Sequence, residues 1–152
     1  MLHDDNLAPE GYHTITPLLK VKESPKLIDF LIHAFGAKEI NRYQQKDEKS
    51  IRIDIKIGDS VIMIFDSISE LKPVVCALYL YVNDTDKIYQ SALKYGATSL
   101  REPKDEVYGD RCAGIIDQFG NQWWIATHKH KNSGEFYNDS EELADSDQTF
   151  SI

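Results

Sequence analysis

The sequence predicts an α+β fold in which two βαβββ modules form a curled mixed sheet around a cleft. Three observations carry that expectation. Most of the chain alternates apolar and polar residues with the period of a strand, and only two segments show helical spacing. Each helical segment stops at a glycine, Gly36 and Gly96. Landmarks of the first half also recur in the second. Val21-Lys22-Glu23-Ser24 falls on Val82-Asn83-Asp84-Thr85 at an offset of 61, Gly36-Ala37 on Gly96-Ala97 at 60, and Gly58-Asp59 on Gly120-Asn121 at 62. Landmarks that keep their spacing and their structural role point to duplication of one unit.

The elements follow in order. Thr14–Lys22 alternates as a strand, and Ser24-Pro25 then opens a helix with Ser24 as N-cap and proline in the first turn. Leu27, Phe30, Leu31, Ala34 and Phe35 form that helix's apolar face. Strands are expected at Lys38–Gln44, Ser50–Ile57 and Ser60–Asp66, the last two joined by the Gly58-Asp59 turn. The order restarts with a strand at Val75–Val82 and a helix capped by Asp84 or Thr85 and running to Tyr95. Strands follow at Thr98–Arg101, Arg111–Asp117 and Gln122–Thr127, with Gln118-Phe119-Gly120-Asn121 as the final turn. A single domain over 12–130 is expected, with modules 12–66 and 75–130 and an acidic tail over 131–152.

Alternation also assigns faces. Ile51, Ile53, Ile55 and Ile57 share one side of their strand, and Arg52, Asp54 and Lys56 share the other. Leu78, Leu80 and Val82 oppose Ala77, Tyr79 and Tyr81 in the same way. The helices cover the apolar faces. The tyrosine-rich faces are left either to line a shared cleft or simply to meet water.

Charge narrows the function classes. The 152 residues include 17 Lys and Arg against 25 Asp and Glu, a net charge of −8. Six of those acids and no base lie between Ser133 and Ile152, so the body is close to −2. The tail composition cannot build a core; the segment is either disordered or docks on a body or partner subunit. An acidic chain lacks the clustered cations that nucleic acid requires. No apolar run reaches the ~20 residues of a membrane span, and the first residues lack the basic and apolar regions of a signal peptide. Cys76 and Cys112 read as buried reduced thiols. A cytoplasmic protein with no nucleic-acid or membrane partner is expected.

The ordered pieces resemble a known family. They are Pro17-Leu18-Leu19-Lys20-Val21, Ala34-Phe35-Gly36-Ala37-Lys38-Glu39, Ile57-Gly58-Asp59-Ser60-Val61-Ile62-Met63, Tyr81-Val82-Asn83-Asp84-Thr85-Asp86, Tyr108-Gly109-Asp110-Arg111 and Asp117-Gln118-Phe119-Gly120-Asn121-Gln122-Trp123. Together they resemble the vicinal oxygen chelate superfamily of glyoxalase I, bleomycin resistance proteins and extradiol dioxygenases, and most of all its PhnB-like branch. The resemblance implies the glyoxalase/bleomycin resistance fold, a ligand cavity and a homodimer. It also implies four positions that metal-dependent members fill with His, Gln or Glu. Here those positions count to Thr16, Ile62 (or Met63 after a one-residue slip), Ala77 and Trp124. At most one could bind a divalent cation, and a catalytic centre needs about three protein ligands. No metal and no cofactor is therefore expected, and glyoxalase and dioxygenase chemistry do not carry over.

The remaining candidates are few. Cleft residues by parity are Arg52, Asp54, Tyr79 and Tyr81; the resemblance adds Thr16 and Trp124, which stand at family positions that face the cavity, and so implies that Trp123 faces the helices. Trp124 either stacks on a planar or cationic ligand or plugs the cavity. Arg111, in the tight Tyr108-Gly109-Asp110-Arg111 turn, either seats a ligand anion or pairs with Asp110 or Asp117 to fix the loop. His128 shares the parity of Trp124 and reaches the rim. The expected function is metal-free binding of a small aromatic or cationic compound. The alternatives are a lyase or isomerase using Arg52, Asp54, Tyr79 or His128 as acid–base groups, or a structural dimer with a vestigial cavity.

Overall fold

The computed structural model describes residues 8–44, 50–67 and 73–129; the acidic tail lies outside them. The chain runs β1 (Leu18–Val21), α1 (Ser24–Phe35), β2 (Lys38–Gln44), β3 (Ser50–Ile57), β4 (Ser60–Ser67), then β5 (Ala77–Tyr81), α2 (Thr85–Lys94), β6 (Thr98–Asp105), β7 (Asp110–Ile116) and β8 (Gln122–His128). Each module makes a mixed four-stranded sheet, ordered β1-β4-β3-β2 and β5-β8-β7-β6. In both, the first strand pairs parallel with the last, and the other pairings are antiparallel. The duplication is therefore topological as well as sequential.

It extends to the helix starts. Ser24 N–H donates to Asp66 of β4 at 2.7 Å, and Thr85 N–H donates to the Thr127 hydroxyl of β8 at 3.0 Å. Both pairs fall on the same offset of 61. The last strand of each module thus supplies an oxygen to the exposed amides of its helix. Ser24 is accordingly not the N-cap. Glu23 holds that place in a left-handed conformation (φ 63°), and the carboxylate of Asp66 does the work expected of a serine hydroxyl. In the second module the expectation holds, because the Asp84 side chain accepts from Lys87 N–H at 3.0 Å.

Three strands differ in length from expectation by more than one residue, and the simplest case is β5, which is confined to Ala77–Tyr81 within the expected Val75–Val82. β1 starts at Leu18 rather than Thr14 because its ladder begins where Met63 N–H reaches the Pro17 carbonyl, and proline has no N–H to extend it. β6 runs on to Asp105 through Pro103, with register shifts around Arg101. As an edge strand it tolerates both a proline and an irregular ladder.

One core joins the modules. Ile53, Ile55 and Ile64 from the first and Ile115, Trp123 and Ile125 from the second belong to the same buried cluster. The helices meet as well. Ser91 donates to the His33 carbonyl at 3.3 Å, and the His33 and Tyr95 rings lie 5.0 Å apart. Phe35 of α1 lies 5.0 Å from the ring of Trp123 in β8, whose indole N–H is held by Asp117 at 2.9 Å. Trp123 therefore faces the helices, as the family resemblance implies. The opposite faces of both sheets carry the polar and tyrosine residues. No helix among the described residues is long and apolar enough to cross a membrane. Cys112 is buried, whereas Cys76 is only half-buried.

Candidate functional site

Each helix-free face is organised around one buried carboxylate. In the first module β3 sets Asp54 opposite Asn41 of β2 and Met63 of β4. Its side chain is fully buried. Arg52, two residues back and hence on the same face, donates to both oxygens at 2.9 Å, and the Tyr12 hydroxyl donates to Oδ2. Asn41 bonds the Tyr12 hydroxyl at 2.9 Å, and the Arg52 guanidinium lies 5.1 Å from the centre of the Tyr43 ring. Burial alone would raise the Asp54 pKa, but the bonds from Arg52 and Tyr12 outweigh it and hold the carboxyl below its ordinary range. Arg52 and Asp54 lie together as expected, but they are spent on each other.

In the second module β7 begins with Asp110, opposite His128 of β8. Asp110 is 3% exposed. Tyr79 and Tyr81 of β5 donate their hydroxyls to Oδ2 at 2.8 and 3.2 Å, and His128 Nδ1 bonds Oδ1 at 2.7 Å. The two tyrosine rings stand 5.3 Å apart, inclined by 57°. Their hydroxyl ends are anchored while their rings stay open, Tyr79 45% and Tyr81 64% exposed. Burial would again raise the Asp110 pKa, and the bonds from His128, Tyr79 and Tyr81 hold it low instead. The Tyr79 phenol is pushed far above its usual range, first by burial and then by the Cys112 thiol and Asp110 beside it. Tyr81 moves the same way. Both phenols therefore stay neutral donors.

Trp124 completes this face. It pairs with Tyr79 on one side and Gly114 on the other, and a methyl at Gly114 would come within 2.8 Å of its ring. The glycine makes room for the indole. The Arg101 guanidinium lies 5.2 Å from the indole centre and reaches Glu106 at 2.6 Å.

Several expectations need correction. Arg111 does not join the face. Its parity with Ala113 and Ile115 turns it the other way, where it grips Asp86 of α2 at 2.5 and 2.8 Å and Asp105 at 3.1 Å. Neither Asp110 nor Asp117 is its partner. Asp117 instead gathers the amides of Phe119 and Asn121 together with the Trp123 indole. Ile62 faces the core, and Met63 takes the position opposite Asp54. Thr16 precedes β1 and donates to the His13 carbonyl at 3.4 Å. Sequence reasoning passed over Tyr12, Asn41 and Arg101, and took Asp110 only as a loop-fixing partner of Arg111. For Asp110 a signal was present, because a strand that turns Ala113 and Ile115 inward must turn Asp110, Cys112 and Gly114 outward.

The four family metal positions can now be tested on their donors. Ala77 has none, Met63 offers a thioether, Trp124 an indole, and the Thr16 hydroxyl is engaged with the backbone. Hard or borderline divalent cations require carboxylate, imidazole or thiolate, so these residues do not fit one. No group of three or more His, Cys, Asp or Glu side chains among the described residues is placed to hold a metal ion.

Comparison with known proteins agrees with the geometry. The family model for the Glyoxalase/Bleomycin resistance protein/Dioxygenase superfamily matches residues 13–125. The Mycobacterium tuberculosis protein Rv0887c is 30% identical over 132 residues, 78% of this chain and 76% of that protein. Among solved structures, TioX from Micromonospora superposes with a TM-score of 0.63 at 19% identity, over 76% of this chain and 98% of TioX. Glyoxalase I from Zea mays superposes with a TM-score of 0.64 at 16% identity, over 75% of this chain and 44% of the longer maize protein. At these identities the two structures speak for the fold alone.

Proposed function

The chain belongs to the glyoxalase/bleomycin resistance protein/dioxygenase superfamily, and from that premise we propose that it binds a small aromatic or cationic compound on the helix-free face of its second module, without a metal at the family positions. The observation that carries this reading is Asp110. It is a buried, ionised carboxylate with no permanently charged partner, beneath two open tyrosine rings and on the same face as Trp124. Clefts of mixed aromatic and polar character with one placed charge are where small ligands are held. Within the superfamily we place the chain in the PhnB-like branch, on the order and wording of its segments.

A fluorescence screen of small aromatic and cationic compounds tests the reading. A compound that binds should change the indole emission, and Trp124→Ala should weaken it by a few-fold to ~30-fold. If no compound's binding responds to Trp124→Ala, the face is packing surface and the reading falls.

The enzyme alternative has one observation in its favour, the His128–Asp110 pair at 2.7 Å, which resembles an oriented base. Two others oppose it. Tyr79 is pushed out of the range in which a phenol exchanges protons near neutrality, and Arg52 and Asp54 are locked together. We further propose a cytoplasmic homodimer that covers part of the first module's face, since Leu18 and Tyr43 are exposed in one chain. Light scattering at micromolar concentration should read twice the 17.4 kDa chain mass; a value equal to one chain refutes the dimer.

A further inference from the structure

Resting on the binding reading above, we infer that the ligand is an organic cation without N–H donors, a quaternary ammonium or a delocalised aromatic cation, seated on the Tyr79 and Tyr81 rings above Asp110.

The first argument is charge. Asp54, the buried carboxylate of the first module, carries its own guanidinium. Asp110 has two neutral phenols and the His128 imidazole at 2.7 Å, and no lysine or arginine among the described residues is paired with it. The second argument is the distribution of cations over rings. Tyr43 has Arg52 at 5.1 Å, Trp124 has Arg101 at 5.2 Å and Tyr95 has Lys94 at 5.5 Å. Among the described residues no lysine or arginine stands over Tyr79 or Tyr81, although this pair sits over an anion and both rings are exposed. A phenol that donates to a carboxylate also gains electron density in its ring, which strengthens attraction for a cation on the ring face.

The third argument selects the class of cation. A carboxylate has about four lone-pair positions, and on Asp110 three are taken, two on Oδ2 and one on Oδ1. A primary ammonium can spend one donor on the position that remains, but its other donors would have to displace a tyrosine or His128 or go unpaired on burial. A quaternary or delocalised cation displaces nothing. It needs ring faces and a nearby negative charge, and both are present.

The test is an NMR titration of the full chain, following tyrosine and tryptophan side-chain signals, with benzyltrimethylammonium, benzylammonium and the uncharged isostere neopentylbenzene. We expect benzyltrimethylammonium to shift the Tyr79 and Tyr81 signals and to bind roughly tenfold tighter than either of the others. Tyr81→Leu, at an open position, should remove most of that preference, as should Asp110→Asn. Tyr43→Leu, on the first module, should leave it intact. The inference is overturned if the three probes bind alike, if benzylammonium binds tightest, or if benzyltrimethylammonium leaves Tyr79 and Tyr81 unmoved. In those cases compounds from the Trp124 screen that still bind would preserve the wider reading. If nothing in that screen binds either, both fall together.

Discussion

The two modules are copies in topology, and each buries one carboxylate on its helix-free face, yet they treat that charge in opposite ways. Asp54 is fully enclosed by a guanidinium, a phenol and, through that phenol, an asparagine. Asp110 is enclosed by donors that carry no fixed charge and whose rings remain open. The equivalent cross-strand pair shows the same divergence. Asp54 faces Met63 in the first module, whereas Gly114 faces Trp124 in the second. One face closes on itself as a structural ion pair, and the other carries a large ring, the glycine that makes room for it, and a carboxylate held by two phenols and an imidazole. A buried polar cluster is evidence of function only after its charges have been balanced.

The largest expected effect breaks the link between the modules rather than either face. Trp123→Ala removes a core indole that touches Phe35 of the other module and takes one of several donors from the buried Asp117 carboxylate. Denaturant melts should show a loss of about 3–5 kcal/mol, while ligand affinity of the folded fraction is unchanged. Next comes the comparison itself. Asp54→Ala leaves Arg52 and Tyr12 without their acceptor in a partly buried setting and should cost about 2–3 kcal/mol. Asp110→Ala releases Tyr79, Tyr81 and His128 to nearby water and should cost about 1 kcal/mol or less. Equal losses in the same melts would mean that both clusters are structural.

The smallest effects lie in the pH dependence. Asp54 and Asp110 both sit below the ordinary carboxylate range, so the folded state binds fewer protons than the unfolded state in acid. Their contribution is full above about pH 5 and is lost as pH falls through their folded values. Tyr79 and Tyr81 are displaced upward, so their contribution is full below about pH 10 and declines as pH rises further. Asp110→Asn should flatten both limbs, since it supplies one acid shift and part of each tyrosine shift. Asp54→Asn should flatten the acid limb and remove part of the Tyr12 contribution on the alkaline side, while Tyr79 and Tyr81 keep theirs. Melting temperatures across pH 3–11 (an interval chosen from the ordinary pKa values of these groups) read the difference.

Much of the fold was legible in the sequence because it depends on local rules. Alternation placed Ile53 and Ile55 on the helix side and Tyr79 and Tyr81 on the other, the family resemblance oriented Trp123 and Trp124, and Gly36 and Gly96 marked the helix ends. The constant offset exposed the duplication, and the capping oxygens at Asp66 and Thr127 now extend it. Boundaries failed where prolines and edges intervened, at Pro17 and Pro103. One slip in counting put Ile62 where Met63 belongs, since on a strand a single residue exchanges faces.

By itself the sequence determined the class of each strand face and the absence of donors at Ala77 and Trp124, because side-chain chemistry and period-two alternation are properties of the chain alone. Only the tertiary structure decided which charges meet. Asp54 takes its tyrosine from 42 residues away, Asp110 draws on strands 31 and 18 residues distant, and Arg111 chooses Asp86 over its own neighbour. Coulombic and hydrogen-bond partners are set by strand order and register, which bring together residues that no local pattern relates.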